Sequence, residues 1–355
     1  MPYELNKKIR ELEPYEPISG TYKIRLDANE CPENYPDFIK EEIKNAIDTI
    51  DFNRYPDPLA EKVVTAFADY YGINPKYVTA GNGSDELIFL IEAAFMEKGD
   101  RMLCVAPDFS MYKFYSSICE VECDTFIKSD DLSIDTDALI EKVNRDNIKL
   151  LLFSNPCNPT GQGMTAEDAR RLVTSVNALV ILDEAYMDFW DQSLLGEVAQ
   201  YDNLIILRTC SKAFGMAAVR LGFAVANPKL TQTLRAVKSP YNVNSVSQKI
   251  GALVMNEQEV LHQALDEIIL SRKALQISLK ELESKYPDQL YVYDSCTNFV
   301  LVRMPRAKEV FEGLLERGIA VRFMGDTLRI TAGSAEENAQ LLKNLESLLS
   351  SSTNP

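Results

Sequence analysis

The residue of this chain with the most evident capacity for chemistry is a lysine at the end of an apolar run. Residues 203–208 read Asn-Leu-Ile-Ile-Leu-Arg, which predicts a strand buried on both faces, and Thr209, Ser211 and Lys212 follow at its carboxyl end. Open α/β sheets bind their ligands at that edge. Partial desolvation there lowers the pKa of a lysine and leaves more free amine to attack a carbonyl carbon. A solvated loop lysine is the alternative unless other residues supply the partners that such an amine needs.

A glycine-rich turn has the composition of an anion-binding site. Residues 81–86 read Gly-Asn-Gly-Ser-Asp-Glu and lie between a short apolar strand and a predicted helix. Glycine lets the backbone approach an anion closely, and the first N–H groups of a helix are unpaired at the positive end of its dipole. Ser84 could equally be a simple helix cap. A dinucleotide fingerprint would need glycine where Glu86 stands, so a Rossmann dehydrogenase receives little support.

An acidic residue follows another apolar run. Residues 179–182 are Leu-Val-Ile-Leu, and Asp183 and Tyr186 come soon after them. Nucleotide hydrolases bind magnesium with such an acid, but they also need a glycine-rich loop ending in Gly-Lys-Ser or Gly-Lys-Thr, and the sequence has no Gly-Lys pair. What remains is a buried carboxylate at a strand end, which is costly unless a cation pairs with it.

Two further motifs supply an amide and a guanidinium. Asn158 begins the turn Asn-Pro-Thr-Gly, for which a purely conformational role is the alternative. Arg220 precedes an apolar strand and could bind a phosphate through two hydrogen bonds, although a salt bridge is the commoner use of an arginine. Together with Lys212, Asp183, Tyr186 and the glycine-rich turn, they match a cofactor that has an aldehyde, a basic ring nitrogen, a hydroxyl and a phosphate. Pyridoxal phosphate has all four.

The elements that must position these residues alternate along the chain. Between about residues 77 and 226, short apolar strands are followed by polar or glycine-rich turns and then by helices. Such alternation predicts an α/β fold, with a mainly parallel central sheet covered by helices. Further on, long amphipathic helices predicted over about 256–286 and several short strands indicate a smaller α+β domain. We therefore expect a large cofactor-binding domain over 46–240 and a small domain formed by 1–45 and 241–355.

The composition is that of an ordinary globular protein. The chain has 355 residues, 46% of them hydrophobic and 25% charged, and a formal net charge of −16. Two domains are the default at that length, and so acidic a chain is not expected to bind nucleic acid or an anionic membrane. No apolar run is long enough to cross a bilayer. Seven cysteines favour reduced thiols and a cytoplasmic location, and a single histidine makes a metal site unexpected.

These motifs resemble those of a known family. Asn-Pro-Thr-Gly at 158–161, Asp-Glu-Ala-Tyr at 183–186, and Thr-Cys-Ser-Lys-Ala-Phe at 209–214 with Arg220 are similar to the motifs of fold-type-I, class II aminotransferases. Four more segments, at 12–15, 27–30, 53–56 and 328–333, resemble the histidinol-phosphate aminotransferase family in particular. The resemblance covers nearly the whole chain in order, and it implies the fold-type-I architecture with pyridoxal phosphate as cofactor.

Carried over onto this sequence, the resemblance implies a role for each motif residue. Lys212 would join the cofactor aldehyde and then move the proton between the substrate Cα and the cofactor C4′. Asp183 would keep the ring nitrogen protonated. Asn158 and Tyr186 would hydrogen-bond the ring hydroxyl, and Phe109 would stack on the ring. The phosphate would be held by a larger set, in which Asp85 contributes its backbone N–H: Gly83, Ser84, Asp85, Thr209, Ser211 and Arg220.

The resemblance also implies a homodimer and a substrate-binding group. Tyr55 would reach the phosphate bound by the neighbouring subunit. Arg329 would anchor the acidic group of the substrate, with help from Arg322, Tyr15 and Asn29. A salt bridge between domains is the alternative for the two arginines.

The activity that the resemblance implies is transamination. L-Histidinol phosphate and 2-oxoglutarate would be interconverted with imidazole-acetol phosphate and L-glutamate, a reaction of histidine biosynthesis. An aromatic or broad-specificity aminotransferase and a pyridoxal-phosphate-dependent phosphoamino-acid decarboxylase are alternatives with the same cofactor. A cofactor-binding regulatory module without turnover is the alternative outside the enzymes.

Overall fold

Two β-sheets organise the chain in a computed structural model that describes residues 3–10, 12 and 18–350. The strands, in chain order, are β1 Ile24–Leu26, β2 Val78–Gly81, β3 Arg101–Ala106, β4 Glu122–Ile127, β5 Leu150–Ser154, β6 Leu179–Asp183, β7 Leu204–Thr209, β8 Gly222–Ala226, β9 Tyr291–Val292, β10 Phe299–Arg303, β11 Ile319–Met324 and β12 Thr327–Thr331.

Helices separate most of these strands. In chain order they are α1 Lys7–Arg10, α2 Asp37–Asp48, α3 Glu61–Tyr71, α4 Ser84–Phe95, α5 Met111–Cys119, α6 Thr136–Arg145, α7 Ala166–Ser175, α8 Pro228–Val237, α9 Ser245–Asn256, α10 Gln258–Lys285, α11 Ala307–Glu316 and α12 Ala335–Ser350. The range 256–286, predicted to hold long helices, consists almost entirely of the single helix α10. No helix in the described part of the chain is both long and apolar enough to cross a membrane.

The larger sheet has the strand order β2-β8-β7-β6-β5-β3-β4. Strands β3 to β7 run parallel, while β8 is antiparallel to both β7 and β2. Every residue of β5, β7 and β8 is buried, as their continuous apolar runs predict for a sheet covered on both faces. The predicted α/β architecture, with a mainly parallel central sheet, is confirmed.

Helices cover this sheet on both sides. On one face, α3, α6, α7 and α9 pack on alternate strand residues such as Leu151 and Val180. On the other face, α4, α5 and α8 pack on the residues between them, such as Leu150 and Ile181. Since successive side chains of a strand point to opposite faces, the two cores share the same strands. Because β3, β5, β6 and β7 are parallel, their carboxyl ends lie at one edge of the sheet, where several polar turns meet.

The smaller sheet has the order β1-β11-β12-β10-β9. Its amino-terminal strand is parallel to β11, with Ile24 opposite Ile319, so a segment near the start of the chain joins strands from the last third. Helices α10, α11 and α12 pack on this sheet. A small cluster that includes Tyr186, Ala213 and Phe299 connects the two sheets beside Lys212. The domain bounds 46–240, and 1–45 with 241–355, stay a prediction.

Candidate active site

Lys212 lies in the turn that follows β7, where its side chain is half-buried. Its Nζ donates a hydrogen bond to the carbonyl oxygen of Ala28 at 2.9 Å. Burial, and after it the positive charge of Arg329, lowers the pKa of Lys212 to about 8. More of this amine is therefore uncharged near neutral pH than is usual for a lysine, and the uncharged form is the one that acts as a nucleophile or as a base.

Asp183 is the last residue of β6, the strand next to β7, and it is buried. Its Oδ2 accepts a hydrogen bond from the Tyr112 hydroxyl at 2.8 Å, and its Oδ1 accepts one from the Ala185 backbone N–H at 3.2 Å. Burial is the main reason that the pKa of Asp183 is raised to about 7, and the Tyr112 hydrogen bond opposes that rise. A bound cation would stabilise the ionised form of this carboxyl group.

Sequence reasoning missed Tyr112. This tyrosine lies in the first turn of α5 and is almost fully buried, and its ring meets the ring of Phe109 edge-on, with centroids 5.5 Å apart. Phe109 itself is half-buried in the turn after β3. A helical spacing of three residues puts Phe109 and Tyr112 on one side of the helix start, and that spacing was the available signal. Nothing in the sequence pattern pairs Tyr112 with Asp183, 71 residues further on.

The residues predicted to hold a phosphate form one continuous cup. Gly83, with φ +80°, precedes the first residue of α4, and the Arg220 Nη2 atom would lie 2.9 Å from a Cβ atom added at this glycine. The Arg220 guanidinium also contacts the Ser211 hydroxyl at 3.4 Å and the Asp85 carboxylate at 3.3 Å. Ser211 in turn donates its backbone N–H to the Thr209 hydroxyl at 3.2 Å. Ser84 and Asp85 open α4, so the first N–H groups of this helix, which lack partners within it, lie close to the Arg220 guanidinium.

Asn158 and Arg329 contact each other directly. Arg329 lies on β12 and is 9% exposed, and it donates one hydrogen bond to the Asn158 Oδ1 and another to the Asp27 carbonyl oxygen, the latter at 2.6 Å. Arg322 on β11 stands directly opposite Arg329 in the antiparallel pair, so the two side chains leave the same face of the small sheet. Arg329 thus brings positive charge to the edge where the large sheet carries Lys212.

The structure places Asn29 against Tyr186 and not in an open cleft. Asn29 is buried with φ +55°, and its Nδ2 donates a hydrogen bond to the Tyr186 hydroxyl at 2.8 Å. Its Oδ1 accepts a hydrogen bond from the Thr331 hydroxyl at 3.1 Å. The Asn29 amide therefore holds the Tyr186 hydroxyl in place, a contact that the sequence did not reveal.

Two other predicted residues lie outside this constellation. Tyr55 is 80% exposed, and its ring stacks on that of Tyr241, with centroids 4.5 Å apart. Tyr15 is outside the described residues. The described part of the chain contains no group of three or more His, Cys, Asp or Glu side chains that could hold a metal ion.

The donor set fits the four functional groups of pyridoxal phosphate. The amine of Lys212, whose pKa is lowered, suits an aldehyde, and the buried carboxyl group of Asp183 suits a protonated ring nitrogen, which would stabilise its ionised form. The cup at the start of α4 suits a phosphate, because a side chain at Gly83 would meet Arg220 there. Asn158 and Tyr186 offer an amide and a hydroxyl for the ring hydroxyl.

Comparison with known proteins identifies the family. The sequence pattern of the family described as aminotransferase class I and II matches residues 21–345. The chain belongs to this family. Its relatives include the histidinol-phosphate aminotransferase of Clostridium novyi (strain NT), which is 40% identical over 95% of this chain and 94% of its own length. The histidinol-phosphate aminotransferase of Thermoanaerobacter sp. (strain X514) is also 40% identical, over 97% of this chain and 98% of its own length.

Solved structures share the fold of this aminotransferase. The histidinol-phosphate aminotransferase from Sinorhizobium meliloti, in complex with pyridoxal-5′-phosphate, superposes with a TM-score of 0.86 and 22% identity over 98% of both chains. The L-threonine-O-3-phosphate decarboxylase from Porphyromonas gingivalis superposes with a TM-score of 0.79 and 21% identity, over 92% of this chain and 99% of its own. The fold is thus common to enzymes with different reactions. The predicted family, and the prediction that the chain is an enzyme of the transferase class, are confirmed.

Proposed function

We propose that this aminotransferase uses pyridoxal phosphate to exchange an amino group between L-histidinol phosphate and 2-oxoglutarate, giving imidazole-acetol phosphate and L-glutamate. The relatives that carry this activity in their names match the chain over at least 94% of their own length. The observation that carries the proposal is the convergence of Lys212, Asp183 and the anion cup at one sheet edge, each at the end of a different element. Those three groups match the three ends of the cofactor.

The position of each residue in the site determines its role in the reaction. Bound pyridoxal phosphate supplies the electron sink for the pair released from a substrate C–H bond. Lys212 Nζ takes the proton from the substrate carbon, and its pKa of about 8 lets it both accept and return that proton near neutral pH. Asp183 holds the proton on the ring nitrogen through an ion pair. Asn158 and Tyr186 bind the ring hydroxyl, and Phe109 covers the ring.

Phosphate recognition needs two separate sites, because the cofactor and the amino donor each carry one phosphate. Gly83, Ser84, Asp85, Thr209, Ser211 and Arg220 hold that of the cofactor. Arg329 and Arg322, paired across β11 and β12, bind the acidic group of the substrate, and Tyr15 completes this set. A phosphate or a carboxylate suits these guanidinium groups. Asn29 acts beside them by holding the Tyr186 hydroxyl through a hydrogen bond.

A homodimer completes the proposed enzyme. Tyr55 and Tyr241 form an exposed aromatic stack, and Phe52 close by in the sequence is 73% exposed. Such surface is costly in water and suits a subunit interface. The Tyr55 hydroxyl would then reach the phosphate bound by the partner. A cytoplasmic location is part of the same proposal, supported by seven cysteines that are all free thiols.

The test combines one variant with a substrate panel. Lys212→Ala removes the amine, so we expect transamination of histidinol phosphate to fall by roughly 10²–10⁴-fold or more while the chain remains folded. Lys142→Ala is the control, because Lys142 on α6 is also a half-buried lysine but pairs with Asp146, just after that helix. Rates of product formation measure the activity of each variant, and circular dichroism shows whether each remains folded.

The panel separates the competing reactions. For the unsubstituted chain we expect kcat/KM for histidinol phosphate to exceed that for phenylalanine and tyrosine. Equal values would instead indicate a broad-specificity aminotransferase, and release of carbon dioxide from a phosphoamino acid would indicate a decarboxylase. Cofactor binding without any turnover would indicate a regulatory module.

A further inference from the structure

Two residues outside the predicted site connect the turn that carries Phe109 with the turn that carries Asn158. Asp108 follows β3, and Ser154 is the last residue of β5, the neighbouring strand. The Ser154 backbone N–H donates to the Asp108 Oδ2 at 3.1 Å, and the Ser154 hydroxyl donates to the Asp108 Oδ1. One carboxylate thus joins the ends of two adjacent strands.

Both ends of this link continue to a residue of the candidate site. The Asp108 Oδ1 also accepts the backbone N–H of Phe109 at 2.7 Å. The Ser154 Oγ accepts the backbone N–H of Asn158 at 3.2 Å. The link therefore fixes the main chain of the residue that covers the cofactor ring and of the residue that binds the ring hydroxyl.

A buried lysine balances the charge. Lys128, 7% exposed, follows β4, and its Nζ donates to the Thr160 hydroxyl at 3.4 Å, so it also contacts the turn that begins at Asn158. Burial raises the pKa of Asp108, while the ammonium of Lys128 and the hydrogen bonds of Ser154 and Phe109 lower it. Asp183 is another charged group near Asp108. The negative charge of the Asp108 carboxylate contributes to the raised pKa of Asp183.

We propose that Asp108 and Ser154 are positioning residues, which act as one unit to hold Phe109 and Asn158 in place against the cofactor ring. The inference rests on the proposed function, because it gives Phe109 and Asn158 their partners. Neither Asp108 nor Ser154 touches the reacting atoms. By holding the main chain of Asn158, they would keep its amide within reach of the ring oxygen of a bound cofactor, and so influence the electron density of the ring.

The experiment follows the visible absorption band of bound pyridoxal phosphate as a function of pH in Asp108→Asn and Ser154→Ala. In Ser154→Ala the Asn158 N–H loses its acceptor. The Asp108 carboxylate accepts three hydrogen bonds, two from Ser154 and one from the Phe109 backbone N–H. In Asp108→Asn an amide N–H₂ group replaces one carboxylate oxygen, so one of these three donors loses its acceptor. A displaced Asn158 amide withdraws less electron density from the ring oxygen. We therefore expect the midpoint of the titration to rise by about one pH unit in each variant.

Kinetics and a double variant test whether the two residues form a unit. We expect kcat to fall by roughly tenfold to a hundredfold while KM for histidinol phosphate stays within about threefold. Because either single change opens the same link, the double variant should shift the midpoint no further than a single one. Midpoint shifts that add in the double variant would overturn the inference.

Asn203→Ala is the matched control. Asn203 precedes β7 at the opposite edge of the sheet, where its Nδ2 donates to the carbonyl oxygens of Val173, Val176 and Ala178. Its removal should lower the melting temperature of the cofactor-free chain without moving the spectroscopic midpoint. Midpoints in Asp108→Asn and Ser154→Ala that stay at the wild-type value, with only a lower melting temperature, would show a merely structural role. An unsubstituted chain that binds no pyridoxal phosphate would instead refute the proposed function, and this inference with it.

Discussion

At the scale of single residues, the ionisation of Asp183 depends on one hydroxyl group. Tyr112→Phe keeps the ring and removes the hydrogen bond that opposes the burial-induced rise of the Asp183 pKa to about 7. The pKa of Asp183 in the cofactor-free chain should therefore rise further, and less carboxylate should be ionised near pH 7. Since the cofactor nitrogen binds the ionised carboxylate, we expect the cofactor dissociation constant to increase by roughly tenfold.

The sign of its pH dependence is the sharper part of this prediction. Below the Asp183 pKa the variant has less carboxylate than the wild type, whereas well above it both are fully ionised. The ratio of the two dissociation constants, variant to wild type, should therefore be largest at or below pH 7 and shrink as the pH rises, as fluorescence titrations can measure. Tyr201→Phe, which removes a hydroxyl–carboxylate bond to Glu197 at 2.9 Å, is the control and should leave the ratio near one. A ratio that does not change with pH would contradict the role given to Tyr112.

Some residues of the candidate site can be predicted from the sequence, and others cannot. The sequence singles out Lys212, Asp183 and Asn158 because each follows a short apolar run, and parallel strands bring such turns to one edge. Tyr112 and the Asp108–Ser154 pair escape it because their hydrogen bonds span 71 and 46 residues. A side-chain partner that far along the chain follows from the three-dimensional register alone.

At the scale of elements, the anion cup depends on how closely β8 approaches α4. Gly222, the first residue of β8, pairs with Gly81 and Thr209, and it lies against the backbone where the helix begins. A Cβ atom there would collide with the Ser84 backbone nitrogen and lie 2.6 Å from the Gly83 carbonyl carbon. Backbone atoms cannot move aside as a flexible side chain can. The glycine is therefore required by the close packing of strand and helix.

Gly222→Ala should consequently displace the start of α4. We expect a loss of about 1–3 kcal/mol in the free energy of unfolding of the cofactor-free chain, measured with denaturant. Affinity should fall more for pyridoxal phosphate than for pyridoxal, because the displaced N–H groups contact the phosphate. Gly196→Ala is the control, since nothing lies within 4 Å of a Cβ atom added there. Equal losses for the two ligands would mean that the cup does not depend on this contact.

Strand direction marks the limit of prediction at this scale. The alternation of strands and helices predicts a mainly parallel sheet, although β4 is not among the strands identified from the sequence. It does not predict that β8 runs antiparallel between β7 and β2. Residues 210–221 connect β7 to β8 without an α-helix, so the chain reverses direction there and does not make the crossover that a parallel strand needs. The consequence is functional, since the reversal sets Arg220, just before β8, beside the end of β7 and the start of α4.

At the scale of the whole molecule, we propose that the site is shared between two subunits. Within one chain the Tyr55 hydroxyl belongs to a side chain that is 80% exposed and stacked on Tyr241, and Arg220 of the anion cup is exposed as well. A homodimer that covers the aromatic stack would bring the Tyr55 of one subunit to the cup of the other. The resemblance implies this contact, and the sequence cannot derive it, because intersubunit geometry leaves no periodic pattern.

A hybrid dimer decides whether Tyr55 acts on its own subunit or on its partner. Tyr55→Phe keeps the ring on Tyr241 and removes the hydroxyl, so the homodimer of this variant should bind pyridoxal phosphate roughly tenfold more weakly. In a hybrid of one Tyr55→Phe subunit and one Lys212→Ala subunit, purified through two different tags, only the subunit with an intact lysine can turn over. Its cup receives the wild-type tyrosine if the residue crosses the interface. The activity of the hybrid should then saturate with cofactor as the wild type does. If the activity of the hybrid instead saturates with cofactor as that of the Tyr55→Phe homodimer does, the tyrosine acts in its own subunit. A chain that is monomeric and fully active would rule out a shared site.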